Sequence, residues 1–192
     1  MKKALIIIIL LILIGTLGIV GYNLLDGKVA AGTKTLTSDD NKYSMEIPSS
    51  WNVTDKASSI GLFAAENRTQ TMYATLSVNT YTADGITLED YISAYMRDIA
   101  GNSDDPSLQQ VLVSPTQATY GENSGYYFEL QSAADGITVH LRDFVFITND
   151  GYVHVDVASS DTGEDAKDAA SIAESIFSSV RYSAEGRVSE MS

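Results

Sequence analysis

The sequence predicts an α+β domain, an antiparallel sheet of about six strands sandwiched by two amphipathic helices, preceded by one N-terminal transmembrane helix. Three observations predict it. Met1-Lys2-Lys3 is followed by an apolar run from Ala4 to Val20 that extends to Leu25. Apolar residues recur at steps of three and four in two later segments, Leu88 to Ile99 and Ala169 to Val180. The remaining segments alternate apolar and polar residues between tight turns, the pattern of consecutive antiparallel strands.

Read as one helix, the 22 residues from Ala4 to Leu25, at ~1.5 Å rise each, match the ~30 Å hydrocarbon core of a bilayer. Lys2 and Lys3 place the N-terminus, residues 1–3, in the cytoplasm and the rest outside. Val29-Ala30-Ala31 resembles a signal-peptide cleavage site, but it lies behind Asp26 and Lys28, and the apolar run exceeds the ~7–15 residues of a signal-peptide core. The reading is a retained anchor over residues 4–25, a single-pass protein of the cell membrane with its C-terminal domain extracellular. The alternative is secretion after cleavage near Ala31. Residues 26–38 (DGKVAAGTKTLTS) are small and polar and read as a flexible linker. Residues 39–183 form the domain, and 184–192 a frayed tail.

The chain contains no cysteine, which excludes disulfides, thiolate metal sites, cysteine nucleophiles and a lipidated N-terminal cysteine. Its net charge is −13, and setting aside Lys2 and Lys3 leaves 10 basic against 25 acidic residues outside the cell. Such a surface repels nucleic acid and anionic headgroups. It suits cations or basic partners, although solubility alone explains it well.

Each element has its own signature. Tyr43, Met45 and Ile47 alternate with polar residues before Pro48-Ser49-Ser50 turns the chain to Trp51, which reads as a core anchor. Ile60 to Ala65 is a short apolar strand. Thr71 to Tyr81 is a longer one, with Met72, Ala74, Leu76 and Val78 on one side and Tyr73, Thr75, Ser77 and Asn79 on the other. Thr87 caps the first helix, with Glu89 and Asp90 in its first turn. Its apolar face is Leu88, Tyr91, Ile92, Tyr95, Met96 and Ile99. Val111 to Tyr120, interrupted by Pro115, predicts an edge strand or a bulge. Tyr126, Phe128 and Leu130 alternate with Tyr127, Glu129 and Gln131.

Thr138 to Thr148 and Tyr152 to Ser159 form a hairpin whose turn centres on Asn149-Asp150 or Asp150-Gly151. Either register puts Phe144 and Phe146 on one face with Val153, Val155 and Val157. Asp161-Thr162-Gly163-Glu164 is a capping-box pattern that predicts the start of the last helix. Tyr73, Tyr81 and Tyr127 lie opposite the apolar faces of their strands, where they suit either partner contact or cover by a helix.

Several of these pieces, in order, carry a likeness to a known family. They are Tyr43-Ser44-Met45-Glu46-Ile47-Pro48-Ser49-Ser50-Trp51, Thr87-Leu88-Glu89-Asp90-Tyr91 and Ile176-Phe177-Ser178-Ser179-Val180. From Lys42 to Tyr182 the chain resembles the PsbP-like family, whose fold is shared with DcrB-type bacterial lipoproteins and a Ran-binding nuclear import factor. The resemblance implies an α-β-α sandwich and an accessory or binding role. It supplies no catalytic motif to transfer.

The residues themselves offer one constellation. His140 and His154 are the only histidines. Alternation puts His154 and Asp156 on one face and Asp143 of the partner strand beside them, a set able to hold a hard or borderline divalent cation. Polar residues on the solvated or helix-edge face of a sheet explain the same pattern. His140 faces the other way, with Phe144 and Phe146. No Gly-x-Ser-x-Gly elbow is present, and His154 with Asp156 side by side is poor geometry for a relay. Asp161 to Asp165 lacks the spacing of an EF-hand loop. No catalytic or cofactor-binding residue is assigned. The expected function is therefore a membrane-anchored, non-catalytic binding domain recognising an envelope protein or surface ligand. The alternative is a metal-dependent envelope enzyme or a cation-binding protein that uses His154, Asp156 and Asp143.

Overall fold

The computed structural model describes residues 32–54, 61–80, 85–101, 109–134, 137–160 and 168–185. The anchor 4–25, the capping-box segment 161–164 and Tyr81 lie outside the described residues. Among those described, no helix is long and apolar enough to cross a membrane.

The strands are β1 (Thr33–Thr37), β2 (Tyr43–Pro48), β3 (Asn52–Thr54), β4 (Gly61–Glu66), β5 (Met72–Asn79), β6 (Gln109–Tyr120), β7 (Asn123–Ala134), β8 (Ile137–Thr148), β9 (Gly151–Ser160) and β10 (Arg181–Tyr182). The helices are α1 (Leu88–Gly101) and α2 (Ala169–Ser179). The sheet is larger than the six strands expected. Seven strands run in the order β3-β4-β5-β9-β8-β7-β6, and a second sheet has the order β1-β2-β10. Every pairing is antiparallel.

The expected linker ends early, because Thr33–Thr37 pairs with Ser44–Pro48 as β1. Backbone pairing with an adjacent strand overrides the weak apolar content of Thr-Lys-Thr-Leu-Thr. The Lys34 ammonium donates to the carbonyl of Trp51 and ties this strand to the domain.

The seven-stranded sheet has two unlike faces. On one, Met72, Ala74, Leu76, Phe144, Phe146, Val153, Val155 and Val157 are buried under α2 and β2. The helix contributes Ala169, Ala173, Ile176 and Phe177, the stripe its period predicted. Tyr43, Met45, Ile47 and Trp51 pack into the same core, so Trp51 is an anchor of this layer. The Phe177 ring meets Tyr120, Tyr127 and Phe144 at centroid distances of 5.2, 6.1 and 5.9 Å. Tyr127 is therefore covered by a helix.

On the other face, α1 lays Ile92 and Ile99 over Phe128, Leu130 and Val145. Thr87 caps α1 as expected, its hydroxyl accepting the Asp90 N–H at 3.1 Å and donating to the Asp90 carboxylate at 2.7 Å.

Strand β6 is an edge strand, and its pairing with β7 shifts register twice between Val111 and Thr116, around Pro115. The β8–β9 hairpin closes with Thr148 opposite Gly151, which places the two-residue turn at Asn149-Asp150. Gly151 has φ +136°, and a Cβ there would lie 2.3 Å from the Asn79 carbonyl oxygen. From the turn, Asp150 accepts from Lys42 Nζ at 2.9 and 3.1 Å and from the Tyr43 hydroxyl at 3.2 Å, joining the two sheets. Asn67 organises the β4–β5 turn. Its Oδ1 accepts the N–H groups of Thr71 and Met72 at 2.9 and 3.1 Å.

The last helix departs from expectation at its start. It begins at Ala169, with Asp168 at the cap position making no side-chain capping bond.

Candidate functional site

Antiparallel register builds the site. Asp143 of β8 pairs directly with Asp156 of β9, and His154 pairs with Val145. Side chains alternate, so Asp143, His154 and Asp156 emerge together on the face that α1 covers. These are three of the central strand positions of the sheet, since β9 is its fourth strand. One ligand atom from each of the three lies within 4.8 Å of the others. The sequence reading placed these residues together and placed His140 apart. His140 pairs instead with Gln131 and Ser159, on the opposite face.

The sandwich implied a helix on each face, but not that α1 would lie over these three residues. Asp143 is fully buried and His154 is 7% exposed, while Asp156 keeps partial access to solvent. A solvated polar face is thereby ruled out as the explanation of this trio. His154 Nδ1 donates to Asp143 Oδ2 at 3.0 Å. The other Asp143 oxygen, Oδ1, is buried without a hydrogen-bond partner among the described residues. Asp156 Oδ2 accepts the Thr75 hydroxyl at 2.9 Å.

The helix closes the site with aromatic side chains. The Tyr91 oxygen lies 2.8 Å from His154 Nε2 and accepts the Asn79 amide at 3.1 Å. Its ring stacks on Tyr152 at 3.9 Å, with planes 7° apart. The Tyr152 hydroxyl in turn donates to the Ile86 carbonyl at 2.9 Å, just ahead of α1. The Tyr95 ring lies 5.2 Å from the His154 ring.

These contacts set the electrostatics. Burial opposes charging of His154, but the Asp143 carboxylate outweighs it and raises the imidazole pKa to about 10. The ring is thus an imidazolium at neutral pH, donating through both nitrogens to Asp143 and Tyr91. Burial, and then the neighbouring Asp143 charge, raises Asp156 to about 7, against the opposing pull of His154 and Thr75. Burial also pushes the Tyr95 phenol well up.

Sequence reasoning missed Tyr91, Tyr95, Thr75 and Asn79. Tyr91 and Tyr95 read as apolar positions of the helix stripe, and only their phenolic oxygens hinted at a second role. It set aside a His154–Asp156 relay as poor geometry, and Asp143, across the hairpin, is the acid that holds the ring.

With fold and site in place, relatives can be set beside them. No family model matches the chain, and no curated protein matches it. Solved structures do. A crystal structure from Bacteroides thetaiotaomicron superposes with a TM-score of 0.57 at 17% identity, covering 80% of this chain and 50% of that one. The chain thus spans half the length of that neighbour. PsbP (CyanoP) from the cyanobacterium Synechocystis gives 0.56 at 16% identity, over 84% of this chain and 98% of that one. LpqN of Mycobacterium tuberculosis, involved in cell envelope biogenesis, gives 0.52 at 13% identity, over 78% and 90%. The Saccharomyces cerevisiae Ran-binding protein Mog1p gives 0.52 at 8% identity, over 79% and 95%. The chain has the PsbP-like fold, as its sequence resemblance implied.

Proposed function

We propose that this chain is a membrane-anchored, outward-facing accessory domain of the cell envelope that recognises another protein and performs no catalysis. The observation that carries the reading is the shared fold. Among its neighbours are LpqN, described as acting in envelope biogenesis, and Mog1p, described as Ran-binding. The apolar run 4–25 supplies the anchor and the basic start its orientation. With Thr33–Thr37 taken into β1, the linker read from the sequence extends no further than residue 32. The partner-facing surface is the outer edge β6, where Val111 and Leu112 expose 44% and 43% of their surface.

Site-specific photo-crosslinking in intact cells tests this. A photoreactive residue at Leu112 is expected to trap one discrete envelope protein, and one at Glu185 is not. Failure to trap any partner from either position, in cells that carry the anchored chain, would remove the reading.

A further inference from the structure

We propose that Asp143, His154 and Asp156 form a binding site for one borderline first-row divalent cation, of the zinc, cobalt or manganese type, beneath α1. The claim is independent of which protein the domain recognises.

Charge is the first argument. Two carboxylates lie opposite one another on adjacent strands, on the face that carries the apolar cluster of Phe128 and Val145, with the Tyr95 ring against His154. In the metal-free site the protonated His154 faces the Asp143 carboxylate, and a divalent ion that displaces the Nδ1 proton leaves two carboxylates balanced by the two charges of the ion. Uncompensated charge in such surroundings is costly.

The orphan oxygen is the second argument. Asp143 Oδ1 is buried and accepts no hydrogen bond among the described residues, on a residue whose other oxygen already holds His154. Such an acceptor is a lone pair in place for an electrophile.

Geometry is the third. Ligand atoms at ~2.0–2.2 Å from one ion in tetrahedral array lie ~3.4 Å apart. The three ligand atoms already lie within 4.8 Å of one another, an excess of at most ~1.4 Å over that spacing.

The surroundings match what a metal-bound histidine needs. The ion takes the place of the Nδ1 proton between His154 and Asp143, and that proton leaves to solvent. Nε2 then keeps its proton and its bond to the Tyr91 oxygen, which fixes the tautomer and the ring plane. Thr75 does the same for Asp156. One nitrogen and a few carboxylate oxygens favour a borderline ion over calcium, which takes six to eight oxygens. Partial exposure of Asp156 gives the ion its way in.

The test uses the full chain in detergent, stripped with chelator. Cobalt(II) titration is expected to give one saturable d–d absorption per chain, displaced by zinc and not by equimolar calcium. His154→Gln and Asp156→Asn are expected to weaken binding at least tenfold, Tyr91→Phe severalfold, and exposed Glu122→Gln by less than twofold. Circular dichroism checks that each variant is folded.

A second readout needs no variant at the site. The chain has two histidines, so zinc should move the imidazole nitrogen resonances of His154 and leave those of His140 in place. No saturable binding at millimolar ion, binding that His154→Gln and Asp156→Asn leave intact, equal displacement by calcium, or a shift of His140 alone would each overturn the proposal.

Discussion

At the scale of single residues, the Asp143–His154–Tyr91 chain governs how the domain responds to pH. His154 has its pKa raised from 6.5 to about 10, chiefly by the Asp143 carboxylate working against burial. Its stabilising contribution is therefore complete below about pH 6.5 and is lost as pH rises toward 10. Denaturation of the chelator-treated protein should show a decline over that window that His154→Gln lacks. Asp156 works in a different range. Its pKa rises from 3.8 to about 7 because burial, followed by Asp143, disfavours its charged form. The folded state then holds a proton that the unfolded state releases, so stability falls between about pH 4 and 7. The loss is on the order of 2–4 kcal/mol. Asp156→Asn should flatten the melting temperature over that range, and a variant that melts with the slope of the parent would contradict the assignment. Tyr91→Phe removes the oxygen that serves both His154 Nε2 and Asn79, a loss of about 1–3 kcal/mol in urea denaturation.

At the scale of elements, the two helices differ in how firmly they are held. Four residues of α2, Ala169, Ala173, Ile176 and Phe177, are buried in the larger core, whereas α1 buries Ile92 and Ile99 and adds polar bonds through Tyr91. Phe177→Ala leaves a hole among Tyr120, Tyr127 and Phe144. It should cost about 3–5 kcal/mol, read as a lower urea midpoint at unchanged slope. Amide hydrogen exchange should be faster in α1 than in α2 and β9, and equal protection of the two helices would refute this ranking. Legibility followed the same physics. Both helix stripes and the broken edge strand could be read, because a 3.6-residue period and Pro115 are local signals. β1 and β10 were not read. Thr33–Thr37 carries a single large apolar residue and Arg181–Tyr182 is two residues long, so only pairing with β2 makes either a strand. The size of the sheet was underestimated for the same reason, since short β3 gains its place from Ala64 to Glu66.

At the scale of the whole molecule, a PsbP-like sandwich carries a polar trio on its central strands and an acidic surface around it. Strand alternation put Asp143, His154 and Asp156 on one face, which made the trio legible. That α1 would lie over the trio was not legible, because the placement of α1 depends on contacts such as Tyr91 with Tyr152 and Ile92 with the Phe128 cluster, far apart in sequence. We propose that residues 4–25 hold this domain outside the cell. A chain without cysteine allows a direct measurement of that arrangement. Glu122→Cys, on the exposed β6–β7 turn, and Lys2→Cys, at the N-terminus, are each treated in intact cells with a membrane-impermeant maleimide. The account predicts labelling at position 122 before lysis, labelling at position 2 only after it, and both chains in the membrane fraction. Labelling at position 122 only after lysis, or recovery of the domain from the medium with its N-terminus near Ala31, would contradict it.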